Sequence, residues 1–318
     1  MAVGNLAIER AHIPVMLNEV LQALAVRERG IYVDCTVGGA GHARPILESS
    51  SPSGRLLGLD LDPQAIDRAA QHLEDMRGRF LLANENFDRV EEVAISSGFY
   101  PADGILFDLG VSSDLLEDPE RGFSFQHDAP LDMRFDKRQQ VTAADLANYL
   151  PERELADTLF RFSQERFSRR IARFIIANRP VLTTSQLAWL VERAIPARGR
   201  DLQRRRIHPA TRTFMALRIA VNREFDVLVA ALPQAVKLLK PGGRIAIISF
   251  HSLEDGLVKD FFRRESSGCL CPPKVPICVC GHSPSLRIIT KDPVTPTDEE
   301  TRANPRSRSA KLRVAERL

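Results

Sequence analysis

The sequence predicts an α/β fold in which a doubly wound, mostly parallel sheet is interrupted by an all-helical insert. Strand-like and helix-like segments alternate up to residue 113, a pattern typical of a parallel sheet covered by helices. The next clear strand follows roughly 130 residues after the fourth, whereas a crossover connection needs only about 20 to 30. We therefore predict a sheet domain in two parts, residues 1–113 and 209–318, with a helical insert at 114–208.

Composition limits the class of protein. The 318 residues are enough for one large or two ordinary domains. No apolar run approaches the roughly 20 residues that span a bilayer, and the start of the chain lacks a basic head followed by an apolar stretch. Four of the five cysteines are crowded late in the chain, unlike a secreted disulfide framework. We expect a cytoplasmic protein with no membrane partner.

The first strand, predicted at Ile31–Val33, follows an amphipathic helix that begins near His12. After it comes a turn with three glycines in four positions, and a helix opens near Pro45. Glycines in this turn let the backbone take positive φ and approach a ligand closely, and the amides at a helix start favour polar or anionic groups. The glycines are Gly38, Gly39 and Gly41.

The second strand ends in Asp60, about 20 residues beyond the glycine turn, where an acid can accept both ribose hydroxyls of an adenosine. The two motifs together indicate a nucleoside cofactor, although a glycine turn alone occurs in any α/β protein. The loop lacks the G-x-G-x-x-G spacing of a dinucleotide site and has an acid, Asp34, at the tip of the first strand. An acid there suits an amino-acid end better than a pyrophosphate, so S-adenosylmethionine is favoured over NAD.

Two further strands direct residues to the same edge of the sheet. The third begins at Arg79 and is followed by Asn86 and Phe87. Phe87 can pack on an adenine ring there, although a lone phenylalanine is more often part of a core. The fourth strand begins at Asp103 and delivers Asp108.

The insert is basic and helical. Four of its segments show helical spacing: Thr142–Tyr149, Glu152–Phe162, Arg166–Asn178 and Ser185–Ala194. From Lys137 to Arg212 there are 16 Lys plus Arg against 7 Asp plus Glu, giving +9, whereas the remainder has 28 against 34, giving −6. This distribution indicates a polyanionic partner, RNA or DNA, with a solvated helix face as the alternative. The expected phosphate contacts are Arg169, Arg170, Arg173, Arg212 and the segment Arg198–Arg206.

The chain then returns to the sheet. Helices are predicted over Pro209–Leu239 and from Leu253, and the fifth strand between them at Gly243–Phe250. The last two strands are predicted at Leu286–Thr290 and Lys311–Val314. The intervening segments, Pro296–Glu300 and Asn304–Ser309, are predicted to be ordered loop.

Four cysteines form a C-x-C pair that is repeated after six residues: Cys269, Cys271, Cys278 and Cys280. Four thiolates can hold zinc tetrahedrally, but this spacing is tighter than the usual C-x(2–4)-C. Reduced loop cysteines are the alternative. The sequence does not decide between them, so we assign no metal from it.

Six segments, in order along nearly the whole chain, form one pattern. They are the glycine loop, Asp108–Ser113, Phe123–Phe125 with Pro130–Arg134, His208–Phe214, Ile248–Asp255 and Asn304–Arg313. Together they resemble the bacterial, MraW-like small-subunit ribosomal RNA cytosine-N4 methyltransferases. Any one segment would be a weak signal, but six in order are specific.

This resemblance implies a Rossmann-like class I methyltransferase domain with a helical substrate-recognition insert. It implies S-adenosylmethionine-dependent methylation of the exocyclic N4 amine of a cytosine in 16S ribosomal RNA, near the decoding centre. The implied partner is small-subunit ribosomal RNA within an assembled or nearly assembled subunit; the oligomeric state stays open, with a dimer as one alternative. The cofactor contacts fall on Ala40, Gly41, His42, Asp60, Phe87 and Asp108. Family members often have a polar residue where this chain has Leu115, so that contact is not carried over.

The exocyclic amine of cytosine is a poor nucleophile because its lone pair is delocalised into the ring. A site that methylates it should accept hydrogen bonds from the amine protons and align the nitrogen with the sulfonium methyl. We expect Asp108 to be catalytic, with Asp132 and His251 as further candidates for acceptor or proton relay. Asp132 can instead simply pair with Arg134, and His251 can orient a loop.

Three other functions compete with this one. Methylation at cytosine C5 needs a cysteine nucleophile, but Cys35 lies on the cofactor side and the other cysteines come late in the chain. A methyltransferase acting on a small molecule or protein would not need the basic insert. A non-catalytic RNA-binding protein would be expected to lose the glycine loop, which here is intact.

Overall fold

The computed structural model describes residues 14–196, 208–272 and 278–318. The predicted helix start near His12 and the arginine segment Arg198–Arg206 lie outside the described residues. The chain forms two compact units. The sheet unit contains the residues up to Leu109 together with Pro233–His251 and Val258–Leu318, and the helical unit contains Gly110–Leu232 and Ser252–Leu257.

The sheet unit is built on seven strands in the described part of the chain. They are β1 Ile31–Asp34, β2 Arg55–Leu59, β3 Phe80–Ala83, β4 Ala102–Asp108, β5 Leu239–Ser249, β6 Leu286–Ile288 and β7 Lys311–Arg317. Their order is β3-β2-β1-β4-β5-β7-β6, with β1 to β5 parallel and β7 antiparallel to both of its neighbours. The order reverses between β1 and β4, and ligands of open α/β sheets bind beyond the carboxyl ends at such a point. The predicted doubly wound sheet is confirmed.

The described helices follow in chain order. They are α1 Leu17–Ala23, α2 Ala43–Ser49, α3 Pro63–His72, α4 Val90–Ser96, α5 Ser113–Glu117, α6 Ala143–Tyr149, α7 Glu152–Ser163, α8 Ser168–Ala177, α9 Thr184–Ala194, α10 Thr211–Asn222, α11 Glu224–Leu238, α12 Ser252–Glu265 and α13 Asp298–Ala303. Local sequence sets several of their starts, since Thr142 and Thr183 each form a capping box at the start of a helix. None of these helices is long and apolar enough to cross a bilayer.

The central strands have apolar interiors because both faces of a parallel sheet are covered. Leu56, Leu57 and Ile105 are fully buried. Gly58 in β2 has no side chain because a Cβ would lie 2.8 Å from atoms of Leu82 and Val37. This packing holds the ends of β1, β2 and β4 on a rigid support.

The helical unit has a hydrophobic core of its own, to which α6 to α10 contribute. Leu115 is buried in it, which explains why this position holds an apolar side chain. The unit also includes α10 and continues to Leu232 within α11, because Phe214 and Leu217 of α10 are buried in the same core. The predicted end of the insert at residue 208 therefore falls inside this unit.

The prediction of a loop at Pro296–Glu300 is wrong for the second half of this segment. Helix α13 begins there, after Thr297, whose hydroxyl oxygen accepts the N–H of Glu300 at 3.1 Å. Three acids in its first turn are stabilised by the positive end of the helix dipole. The segment predicted as loop from Asn304 contains a 3-10 helix, Pro305–Ser309. Thr-x-x-Glu is a helix-start signal that the composition of the segment obscured.

Candidate functional site

The glycine turn is held between two strands beyond the end of β1. The N–H of Cys35 donates to the carbonyl of Leu106 and the N–H of Val37 to that of Leu59, each at 2.9 Å. Gly38 then takes a φ of +51°, a conformation that favours glycine. Its N–H donates to Oδ2 of Asp60 at 2.9 Å. The acid that the sequence paired with the glycine turn is thus hydrogen-bonded to it.

Asp60 is oriented by two backbone donors. Oδ1 accepts the N–H of Asp62 at 2.9 Å, while Oδ2 accepts that of Gly38. Burial raises the pKa of the Asp60 carboxyl to about 6, and the two backbone hydrogen bonds oppose the rise. A carboxylate oxygen accepts more than one hydrogen bond. Each oxygen of Asp60 can therefore accept a ligand hydroxyl without losing the bond that orients it.

Asp34, the last residue of β1, is buried with 1% of its surface exposed. Burial raises the pKa of this carboxyl to about 6; nearby His42 opposes the rise, whereas the charges of Asp108 and Asp60 add to it. The three acids thus interact at one edge of the sheet. Such a cluster favours a positively charged ligand. The sequence marked Asp34 as diagnostic of the cofactor but did not assign it a contact.

Thr36 joins the ends of two neighbouring strands. Its hydroxyl oxygen accepts the backbone N–H of Asp108 at 2.7 Å, and its O–H donates to Oδ1 of Asp34 at 3.4 Å. The N–H of Thr36 donates to the same Asp34 oxygen at 3.1 Å. Sequence reasoning missed this residue. The signal that could have found it is a small hydroxyl residue two positions after the strand-end acid.

His42 is buried at the start of α2. Its Nε2 lies 2.9 Å from the carbonyl oxygen of Val15, and because a carbonyl only accepts, Nε2 carries the proton. Burial lowers the pKa of the imidazole, so the ring is neutral and Nδ1 is an acceptor. This Nδ1 lies 3.6 Å from Oδ2 of Asp108. Two acceptors facing each other form a place for an N–H donor of a ligand.

The other two positions of this segment differ in exposure. Ala40 is buried at a φ of +68°, and its N–H donates to the carbonyl of Val37 at 2.8 Å. Gly41 is only half-buried. Among the expected contacts Ala40, Gly41 and His42, the backbone of Gly41 is thus the most accessible.

Phe87 lies in a short 3-10 helix after β3, which begins after Asn86. The ring is half-buried and meets that of Phe107 edge to face, with centroids 5.5 Å apart. The side-chain amide of Asn84 donates to the carbonyl of Asp60 at 2.9 Å, which fixes the start of this connection beside the end of β2. Phe87 is therefore on the side of the sheet edge where Asp60 lies.

The remaining catalytic candidates fall in different units. His251 belongs to the sheet unit and follows β5, whose Ile248 is paired with Asp108 of β4. Asp132 belongs to the helical unit. Its two oxygens accept Nε and Nη2 of Arg134 at 2.7 and 2.8 Å. Burial raises the pKa of Asp132, but the bonds from Arg134 outweigh it and leave the pKa below its ordinary value. Asp132 thus forms the pair with Arg134 that the sequence offered as the alternative, and its catalytic role stays a prediction.

Cys35 is buried, and burial raises the pKa of its thiol well above the ordinary value, with the charge of Asp34 adding to the effect. The thiol stays protonated at neutral pH. A protonated buried thiol is a weak nucleophile. Methylation through a cysteine adduct therefore finds no support at this residue.

The helical unit presents several of the predicted arginines to solvent. Arg169, Arg170 and Arg173 on α8 are exposed, and the guanidinium of Arg170 lies 5.7 Å from the ring centroid of Phe174. Arg212 has 48% of its side chain exposed and lies 4.0 Å from the buried carboxylate of Glu165. Part of the charge of Arg212 is thus balanced within the unit, and so is part of that of Arg173, whose Nε lies 3.6 Å from a carboxylate oxygen of Glu152. Helix α8 still offers a basic surface through Arg169 and Arg170.

Two segments of the sequence pattern meet inside this unit. The ring of Phe125 lies 4.5 Å from that of His208 and 4.9 Å from that of Phe214, measured between centroids. Asn222 at the end of α10 accepts the N–H of Phe135 and donates to the carbonyl of Met133, both at 2.8 Å. Segments far apart in the chain therefore form one structure, which accounts for their occurring together.

A family model, described as the MraW methylase family, matches residues 9–318. The chain belongs to the MraW methylase family. It is 53% identical over 311 residues to a protein of Dehalococcoides mccartyi named ribosomal RNA small subunit methyltransferase H, with 98% of this chain and 88% of that one covered. A protein of the same name from Thermomicrobium roseum is 54% identical, with coverage of 96% and 94%.

Among solved structures, the chain is similar to an rRNA methylase from Streptococcus thermophilus. The match covers 95% of this MraW-family chain and 93% of the methylase chain, with a TM-score of 0.41 and 11% sequence identity.

Proposed function

We propose that this chain is an S-adenosylmethionine-dependent methyltransferase that modifies the exocyclic N4 amine of a cytosine in small-subunit ribosomal RNA near the decoding centre. The observation that carries the proposal is the cluster of Asp34, Asp60 and Asp108, held by the glycine turn at one edge of the sheet. Membership of the MraW methylase family and the names of its relatives support the same activity. With a ribosomal substrate, we place the protein in the cytoplasm.

The donor set fits the cofactor. S-Adenosylmethionine has a ribose diol, an adenine ring and two cationic groups, a sulfonium and an ammonium. Asp60 has acceptor capacity for the diol, and Phe87 offers a half-buried ring for the adenine. Asp34, Asp108 and neutral His42 supply negative charge and acceptors for the cationic end. When bound, the cofactor supplies an electrophilic methyl group on a positively charged sulfur.

The chain's own residues act mainly by positioning. Thr36 fixes the backbone of Asp108, so its carboxylate has a defined place to accept a hydrogen bond from the target amine. A target amine that donates a hydrogen bond to Asp108 would be held with its lone pair free to receive the methyl group. A strong base is unnecessary because the methyl group is already activated. His251, at the end of the neighbouring strand, is proposed to orient the connection into α12 or to relay the released proton.

Recognition of RNA is assigned to the helical unit. Exposed Arg169, Arg170 and Arg173 offer charge for phosphates, which positions RNA without selecting a base. Asp132 is proposed to act through Arg134, whose guanidinium it holds, rather than as a proton acceptor itself. The buried, protonated thiol of Cys35 favours transfer to nitrogen over transfer to C5.

The test is methyl transfer from labelled cofactor to purified small subunits, bare 16S ribosomal RNA and protein, using subunits from cells that lack this gene. Nucleoside mass analysis after digestion should find N4-methylated cytidine in RNA. Asp108→Ala should abolish the label, whereas exposed Asp67→Asn on α3 should not. Label on protein alone, or on C5 of cytosine, would overturn the proposal.

A further inference from the structure

Four cysteines of the sheet unit lie together in the connection between α12 and β6, and the methyl-transfer chemistry does not use them. The sulfur of Cys278 lies 3.4 Å from that of Cys269, 3.5 Å from that of Cys280 and 4.0 Å from that of Cys271. The sulfurs of Cys269 and Cys280 are 3.9 Å apart. All four lie within 4.8 Å of one another.

These separations match the edges of a tetrahedron around one ion. A zinc ion with Zn–S bonds of about 2.3 Å places its sulfurs about 3.8 Å apart. The arrangement does not resemble two disulfides, because Cys278 is nearly equidistant from three partners and all four thiols are free. Residues i and i+2 of an extended segment project to the same side, so the short C-x-C spacing can present both of its sulfurs to one ion.

Backbone amides around the cluster point at the sulfurs. The N–H of Leu270 donates to Cys280 and that of Val279 donates to Cys271, each at 3.4 Å. The N–H of Cys271 donates to Cys269, also at 3.4 Å. Such donors stabilise thiolates and orient metal ligands. Because the first two bonds run between the two C-x-C segments, they also bring the two segments together.

The connection has little else to hold it in place. It spans about 20 residues, longer than most structureless loops, and its described residues between Glu265 and Leu286 contain no helix or strand. Its base is closed by Ser285, whose N–H and O–H donate to Glu265 at 2.8 Å. Farther out, Leu270 is 44% and Val279 81% exposed, so these two of its described apolar side chains do not form a hydrophobic core. Exposed thiols in such a loop would also be open to oxidation.

We propose that Cys269, Cys271, Cys278 and Cys280 bind one zinc ion in a closed, structural site. Four protein ligands leave no open position, so the ion stabilises the connection and takes no part in methyl transfer. The inference is independent of the proposed function, since the cluster is separate from the acids of the sheet edge in sequence and in chemistry.

The test is elemental analysis of the full-length protein, purified without chelators and under reducing conditions. We expect one zinc per chain, released on titration of the thiols with a mercurial reagent and detected by a chromophoric chelator. Cobalt exchanged into the site should give the thiolate charge-transfer and tetrahedral ligand-field bands of a four-sulfur site. These two measurements need no variant.

Cysteine variants test which residues bind the zinc ion. Cys271→Ser and Cys280→Ser should each lose the zinc, whereas Cys35→Ser should keep it. Circular dichroism identifies any variant that fails to fold. If a variant does not fold, release of zinc from the wild-type protein on mercurial titration decides whether thiols bind the ion. Protein that lacks zinc and does not take it up, contains stoichiometric iron instead, or keeps its zinc in both cluster variants would overturn the proposal.

Discussion

Nδ1 of His42 and Oδ2 of Asp108 lie 3.6 Å apart and are both acceptors, because the proton of the neutral ring is on Nε2 and is donated to Val15. The pair is too far apart for a hydrogen bond of its own. It suits a ligand with N–H groups, and the ammonium of S-adenosylmethionine is such a group. Together with Asp34, it is the site that we propose for the cationic end of the cofactor.

Cofactor affinity should fall in acid. The pKa values of Asp34 and Asp60 are raised to about 6, so both acids gain protons and lose negative charge as the pH falls through that value. We expect S-adenosylmethionine to bind roughly tenfold more weakly at pH 5.5 than at pH 7.5. Calorimetric titration would measure this. Adenosine, which keeps the ribose diol but lacks the ammonium, should show a weaker dependence on pH, and an equal dependence would argue against Asp34 as part of the site for the ammonium.

Asp60→Asn should weaken cofactor binding, and because its NH2 group would face one of the two backbone N–H groups that Asp60 accepts, circular dichroism is used to check the fold of the variant. The amide keeps one acceptor but loses the charge that strengthens hydrogen bonds from the ribose hydroxyls. We expect Kd to rise about 10- to 100-fold, in line with the loss of a charge-assisted hydrogen bond. Exposed Asp67→Asn in the following helix is the matched control. An unchanged Kd for Asp60→Asn would remove this residue from the cofactor site.

Asp34→Asn should stabilise the protein near neutral pH. Burial raises the pKa of Asp34 from 3.8 to about 6, so the folded state retains a proton that the unfolded state releases. As the pH rises from 3.8 to about 6, the contribution of Asp34 to the free energy of unfolding therefore falls. The destabilisation from burying its charged form is complete above about pH 6. The variant should gain up to about 3 kcal/mol in free energy of unfolding at pH 7.5 and much less at pH 4.5.

Urea unfolding at the two pH values would measure the gain, with Asp67→Asn again as control. The same variant should bind the cofactor more weakly, because it has lost a negative charge at the cationic end. A variant that is less stable than the wild type at pH 7.5 would show that the Asp34 carboxylate is favourable in the fold.

Thr36→Val should damage the site more than Thr36→Ser. Valine leaves the N–H of Asp108 without the hydroxyl that accepts it at 2.7 Å, and removes a donor to Asp34. An unsatisfied buried group costs about 1–3 kcal/mol, so we expect a comparable loss in the free energy of unfolding together with lower activity. Serine keeps the hydroxyl and should restore most of both. Equal behaviour of the two variants would show that the hydroxyl bridge is unimportant.

Replacing Arg169, Arg170 and Arg173 together with glutamine should weaken RNA binding and leave cofactor affinity unchanged. Each lost phosphate contact lowers the slope of log affinity against log salt by about 0.7 to 0.9. Filter binding over a range of salt concentrations would measure the slope. A triple variant with the same change in charge, Arg77→Gln, Arg263→Gln and Arg287→Gln in the sheet unit, is the control. Equal slopes for the two triple variants would indicate a non-specific charge effect.

The sheet was predictable because its signals are local. Parallel strands buried on both faces have continuous apolar runs, and the acids Asp34, Asp60 and Asp108 each mark a strand end that the topology brings to one edge. The glycine turn and Asp60, far apart in the sequence, proved to be hydrogen-bonded as the motif suggests.

The contacts that depend on tertiary structure were not predictable. Nothing in the sequence around Thr36 shows that its hydroxyl accepts from Asp108, since that contact requires β1 and β4 to be neighbours. The extension of the helical unit to Leu232 depends on which core α10 joins, and its amphipathic pattern fits either unit. The four-sulfur cluster required the two C-x-C segments to fold together.

Strands β4 and β5 are neighbours in the sheet although the helical unit intervenes in the chain. Joining two points separated by roughly 130 flexible residues costs about 4 kcal/mol of chain entropy. Helices formed beforehand in the intervening segment shorten the effective tether and remove much of that cost. We therefore expect the helical unit to fold first and β4 to pair with β5 last.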